Sequence, residues 1–94
     1  MTLDTLPKIK QMPEIATSRV RELQWGIDWY AKLYTEMKYK EELAWKIYDD
    51  AIESGASTEE KNGIFLACKL FESNRIAAYR EWQGCKRQYL ELLN

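Results

Sequence analysis

The chain has 94 residues, a net charge of −1 and no histidine, so we expect a single domain that lacks the commonest catalytic base. The near-neutral charge argues against gross electrostatic attraction to nucleic acid or to an acidic membrane. No apolar run reaches the roughly 18 residues that span a bilayer, and the N-terminus lacks the continuous apolar core of a signal peptide. We therefore expect a cytoplasmic protein without a membrane partner.

Residues 1–13 are predicted to form a short N-terminal arm. Pro7 and Pro13 limit any regular helix there. Apolar residues nevertheless recur at every third position, which suits a helical turn or an ordered arm packed on the rest of the chain: Leu3, Leu6, Ile9 and Met12. A frayed arm is the alternative, because chain termini are often loose unless contacts tie them down.

A first long helix is predicted over residues 14–54, because proline is tolerated at a helix start and no proline follows Pro13. The apolar residues of this helix fall into two stripes when they are placed at the helical period. The main stripe repeats about every 3.5 residues and is interrupted by Glu41. Its members are Val20, Leu23, Ile27, Tyr30, Tyr34, Met37, Ala44, Tyr48 and Ala51.

The second stripe lies on roughly the opposite side of this helix and consists of Trp25, Trp29, Tyr39, Leu43 and Ile47. A hairpin needs only the main stripe for its internal packing, and a helix that is apolar on two sides is normally buried on two sides. Trp and Tyr are also among the residues that anchor protein interfaces. We therefore predict that the second stripe binds a protein, either a second copy of the chain or a foreign partner. If the N-terminal arm folds back instead, Leu3, Leu6 and Ile9 could cover part of this stripe within one chain.

Residues 55–57 are predicted to reverse the chain. Gly55 can take the left-handed conformation that commonly ends a helix, and Ser57 with Glu60 forms the capping-box pattern that starts one. A second helix is then predicted over residues 58–92. Its main stripe is Ile64, Cys68, Phe71, Ala78, Trp82, Cys85, Tyr89 and Leu92.

Two residues of the second helix interrupt an otherwise regular pattern. Arg75 lies within the main stripe, and counting outward from the turn places it level with Glu41, so an ion pair between these residues is expected. Gly84 is a candidate for the close approach of another helix or for a bend, because glycine in a helix interior costs about 1 kcal/mol. A second apolar set on this helix lies to one flank: Leu66, Leu70 and Ala77.

The predicted fold is all-α, a long antiparallel helical hairpin over residues 14–94 preceded by the short arm. A short chain buries only a modest fraction of its surface, and a two-helix hairpin buries less than a bundle does. We therefore expect self-association or partner binding to complete a helical bundle.

Catalytic, metal and cofactor chemistry are not expected. Asp49, Asp50 and Glu53 form an acidic cluster before the turn, but no second carboxylate pair faces it in the pattern. Cys68 and Cys85 are separated by roughly 25 Å along one helix, too far for a disulfide within the chain. We predict free, buried thiols, no cofactor and no small-molecule substrate.

Basic residues gather at the open end of the hairpin, which is the end opposite the turn: Arg19, Arg21, Arg80, Lys86 and Arg87. The net charge is +1 over residues 1–26, −4 over residues 27–67 and +2 over residues 68–94. A small nucleic-acid-associated protein that uses this basic end is the alternative function, although no helix-turn-helix, zinc-finger or basic-region pattern accompanies it. The favoured prediction is a non-enzymatic protein–protein interaction module, namely a small adaptor, inhibitor or assembly protein.

Overall fold

The computed structural model describes residues 14–93, which form two antiparallel α-helices joined by a tight turn. Helix α1 spans Glu14–Glu53 and helix α2 spans Thr58–Glu91, so each helix ends one residue earlier than predicted. The hairpin is a rod with extents of 63 × 19 × 16 Å. The all-α hairpin is confirmed, whereas the predicted N-terminal arm, 1–13, lies outside the described residues.

The turn follows from two local signals. Gly55 has a φ of 74°, and the amides of Gly55 and Ala56 donate to the carbonyls of Ile52 and Ala51 at 3.2 and 2.9 Å. These two bonds are the pair that closes a helix through a left-handed residue. Ser57 then caps α2, because its hydroxyl accepts a hydrogen bond from the Glu60 amide at 3.1 Å.

The contact surface between the two helices, called the seam below, is built from the two main stripes. At the open end Val20, Leu23 and Ile27 pack with Tyr89, and Trp82, Cys85 and Leu92 pack against this cluster. Small residues take over toward the turn, where Ala44, Ala51, Cys68 and Ala78 are buried. The large side chains at the open end and the small side chains nearer the turn keep the two helices in contact along the seam.

One side of the hairpin, called the aromatic side below, carries rings that contact one another across the seam. The rings of Tyr34, Tyr79 and Trp82 contact one another, and the Tyr34 centroid lies 5.5 Å from that of Tyr79 and 5.8 Å from that of Trp82. Nearer the turn, the rings of Trp45 and Tyr48 meet Phe65 at 5.8 and 6.0 Å. Aromatic pairs at these distances contribute beyond their buried area, so they tie the two helices together along this side.

The predicted ion pair between Arg75 and Glu41 is present and lies between these two aromatic groups. The Glu41 carboxylate also accepts from the Trp45 indole N–H at 3.3 Å. Its hydrogen bond to Glu41 raises the pKa of the Arg75 guanidinium. The Glu41 side chain is 14% exposed and that of Arg75 is 29% exposed, so the acid is the more deeply placed partner.

The two helices of the hairpin approach each other closely at Gly26, and within the chain Gly84 is not a point of close approach. A Cβ atom on Gly26 would stand 2.8 Å from the Cys85 sulfur, whereas a Cβ on Gly84 would meet nothing within 4 Å. Gly26 is therefore the position in the seam where α1 has no room for a side chain. Gly84 instead lies over open space on the outside of α2.

Replacement of Gly26 by alanine should lower the free energy of unfolding by about 1 kcal/mol, because the added methyl group overpacks the seam. Gly63→Ala is the matched control and should not lose stability. A Cβ at that position meets nothing within 4 Å, and alanine is a better helix former than glycine by up to about 1 kcal/mol. The measurement is urea unfolding at equal chain concentration. Cys85→Ala should rescue the Gly26→Ala variant, and failure of that rescue would contradict the packing assignment.

Arg75→Leu should cost about 2 kcal/mol of stability, because it leaves the more buried Glu41 carboxylate without its ionic partner. Glu41→Leu should cost less, about 1 kcal/mol, because the longer Arg75 side chain can reach water. The double leucine variant should be close to the wild type in stability, since a well-packed apolar pair often replaces a buried ion pair without loss. Additive losses in the double-mutant cycle would show that the pair is not coupled.

Candidate functional site

The second stripe of α1 lies outside the seam on the described surface. Its five members are each between 43% and 64% exposed. Trp25 and Trp29 stack on each other with ring centroids 5.7 Å apart and planes 7° from parallel. Two large rings held in one geometry and open to solvent are the kind of preformed aromatic anchor that protein interfaces use.

The mean direction of the second stripe is turned by roughly 140° from the main stripe at the helical period. At its open end the stripe leans toward one side of the seam. Trp25 lines a groove at the open end together with Tyr30, Glu81 and Cys85. Tyr30 and Glu81 also line an adjoining groove of about 250 Å³, so Trp25 belongs to the same side of the hairpin as this groove.

This side, called the groove side below, is apolar on both helices. The adjoining groove is walled by Leu33 and Met37 from α1 and by Ala77 from α2. Leu66 and Leu70 are 68% and 59% exposed, and they share the Ala77 face of α2 at the helical spacing. Trp25 of the second stripe and Ala77 of the flank set of α2 therefore line adjoining grooves on this side.

Sequence reasoning placed Leu33 beside the main stripe and Met37 within it, and did not assign either residue to a binding surface. The signal available was their position on the helix, because both lie on the edge of the main stripe that faces the second stripe. Whether that edge is covered depends on how closely α2 approaches it. The groove keeps both side chains partly open.

Two ion pairs cross the second stripe and divide it into two apolar clusters. Asp28 pairs with Lys32 at 3.1 Å and Glu36 pairs with Lys40 at 2.9 Å. Lys32 and Glu36 stand between Trp29 and Tyr39 along the helix, so Trp25 and Trp29 form one cluster and Tyr39, Leu43 and Ile47 form the other. All four charged side chains are substantially exposed, so they add little stability to the single hairpin.

The predicted nucleic-acid contacts do not form one patch. Arg19 bonds to Glu22 at 3.0 Å and to Gln88, and the Lys86 ammonium lies 4.8 Å from the centroid of the Trp82 ring. Arg80 and Arg87 share one face of α2, and the helical period turns Lys86 roughly 100° away from that face. Arg80, Arg87 and Arg21 are exposed at the open end.

The cysteines and the acidic cluster offer no activated group in the described part of the chain. Burial raises the pKa of the Cys68 thiol, and burial with a smaller contribution from Glu81 raises that of Cys85. Asp49, Asp50 and Glu53 are all exposed. Within residues 14–93, no three or more histidine, cysteine or acidic side chains are grouped so that they could hold a metal ion.

Comparisons with family models, with curated proteins and with solved structures give no match for this chain. A function must therefore be inferred from the surface and chemistry of the chain itself. Among the described residues, neither helix combines the length and the apolar composition that crossing a bilayer requires.

Both thiols should react slowly with an alkylating reagent at pH 8, because a raised pKa leaves less of the reactive thiolate than an ordinary cysteine has. The labelling rate of Cys85 should rise as the pH is increased above the usual pKa of a cysteine thiol. Cys68 has no exposed surface and should label only when urea unfolds the chain. Peptide mass mapping over time distinguishes the two sites, and rapid labelling of Cys68 in the native state would contradict its burial.

Proposed function

We propose that this protein is a non-enzymatic interaction module whose groove side binds another protein chain. The observation that carries the proposal is the exposure of the second stripe beside the apolar groove. Five large apolar side chains of the second stripe, together with Leu66 and Leu70, remain open on a hairpin that is only 19 Å wide. An apolar patch of this extent on a small protein normally marks an interaction surface.

The composition of the groove side supports protein binding more than small-molecule binding. Its grooves are open clefts along a rod, and the residues around them are aromatic and aliphatic. A flat, elongated apolar face with stacked tryptophans suits a helix or a helical pair as its partner, because helices bury stripes of this shape.

The chemistry of the described residues supports a binding role over catalysis. The thiols of Cys68 and Cys85 have raised pKa values and stay protonated near neutral pH, so they are poor nucleophiles. The basic residues at the open end lie on different faces, and Arg19 and Lys86 already contact Gln88 and Trp82. This dispersion gives the nucleic-acid alternative less support than the groove side gives to a protein partner.

The proposal is tested by placing a photo-crosslinking amino acid at Leu43 in the full chain and irradiating cells of the native source. Leu90 is the matched control, because it is also a leucine, is 41% exposed against 43% for Leu43, and lies outside the groove side. We expect a discrete crosslinked protein product from position 43 and none from position 90. No product from position 43, or equal products from both positions, would contradict the proposal.

A further inference from the structure

The exposed face of α1 has matching residue types at equal distances before and after Glu36. Residues 3, 4, 7, 11 and 14 positions away from a helical residue share one face with it. Counted from Glu36 in both directions, the pairs at these distances are Leu33 and Tyr39, Lys32 and Lys40, Trp29 and Leu43, Trp25 and Ile47, and Glu22 and Asp50. Apolar residues are mirrored by apolar residues, basic by basic, and acidic by acidic.

The apolar pairs of this pattern are what an antiparallel apolar contact between two identical helices requires, whereas the charged pairs set like charges level with each other. When a two-fold axis crosses such a pair at one residue, each residue before the axis lies level with the residue equally far beyond it on the other copy. With the axis at Glu36, Trp29 of one copy would meet Leu43 of the other, and Trp25 would meet Ile47. Each bulky ring is thus set against an aliphatic side chain along the whole stripe.

We infer that the protein bound on the groove side is a second copy of this chain, docked antiparallel with the two-fold axis at Glu36. This inference rests on the proposed function, since it names the partner of the same surface. In the resulting four-helix bundle, α1 lies beside α1 and α2 beside α2 of the other copy, as in antiparallel bundles generally.

Helix α2 supports the same axis independently. The ring contacts of Tyr34 with Tyr79 and of Tyr48 with Phe65 set the register of the hairpin, and this register places Ala77 level with Glu36. Seven residues before and after Ala77 stand Leu70 and Gly84. The exposed Leu70 of one copy would therefore lie over Gly84 of the other, where the space outside the backbone is open.

The charges also favour the antiparallel arrangement. It brings the half of the hairpin nearer the turn, residues 37–76 with a net charge of −2, beside the open half, where residues 14–35 and 78–94 together carry +1. At the axis the two Glu36 carboxylates would lie level with each other, and each would stand about 6 Å along the helix from Lys32 and Lys40 of the other copy. A parallel arrangement would bring the two acidic turns together, which costs free energy.

The area of the face is in the range that dimers use. The second stripe extends about 33 Å along α1, and the hairpin is 19 Å wide. The footprint is therefore roughly 600 Å² on each copy, against about 800 Å² per partner in a standard interface. The grooves beside Met37 and Tyr30 add surface that a projected area does not count.

The mass of the full chain, measured by sedimentation equilibrium over a range of concentrations, tests the contact. We expect the mass of two chains for the wild type. The Trp29→Asp, Leu43→Asp double variant should raise the dimer Kd at least about 100-fold, because it places charges in an apolar contact. Gly84→Leu should also weaken the dimer while its circular dichroism stays helical, and Leu90→Asp should leave the Kd unchanged.

Cysteine pairing tests the orientation. A mixture of Trp25→Cys and Ile47→Cys chains, oxidised mildly, should form a disulfide-linked dimer, whereas each variant alone should not. The same residue on two antiparallel copies lies about 33 Å apart, far beyond disulfide reach. Crosslinking of either variant with itself, beyond the wild-type background from Cys85, would overturn the antiparallel axis.

The outcomes also separate this inference from the proposed function. A wild-type chain that stays monomeric at every concentration overturns the inference. If position 43 then crosslinks to a chain of a different mass, the groove side still binds protein and the proposed function stands. If position 43 crosslinks to nothing, both the inference and the proposed function fail.

Discussion

The packing of the two main stripes against each other is the interaction on which the rest of the structure depends. An α-helix of 40 residues gains most of its stability in water from burying one face, because local propensity adds little per residue. The seam supplies that burial for both helices. Its closest point is at Gly26 and Cys85, where a side chain on α1 would not fit, and its open end is filled by Ile27 and Tyr89.

The seam can cover only one face of each helix, and this limit creates the candidate site. Tyr34 and Trp82 close the aromatic side with contacts between rings, so much of that apolar surface is used within the chain. In the described part of the chain, the ring contacts between the helices lie on the aromatic side. Trp29 and Leu70 stay open to solvent, and the groove between the helices is lined in part by the short side chain of Ala77.

The ion pair of Arg75 with Glu41 also affects the groove side, which lies away from the pair. A charged pair placed in an apolar seam penalises any sliding of one helix along the other, because a slipped register would bury each charge alone. The register in turn decides which residue of α2 stands level with Glu36. The alignment of the α1 and α2 faces on the groove side therefore depends on contacts made on the aromatic side.

Much of the fold could be predicted from the sequence because its causes are local or periodic. Gly55 and Ser57 end one helix and begin the next through their own backbone and side-chain bonds. The stripes identified the seam because helical spacing alone determines which residues share a face. Counting outward from the turn was enough to pair Arg75 with Glu41.

What only the tertiary structure decided was the distance and rotation between the helices. The sequence marked Gly84 as a position where another helix could approach, but it did not show that the close contact within the hairpin is at Gly26. Nor did it show that Trp25, at one end of the second stripe, borders a groove. The period of one helix contains no information about how far its neighbour is turned, because that angle is set by side chains such as Cys85 interlocking across the seam.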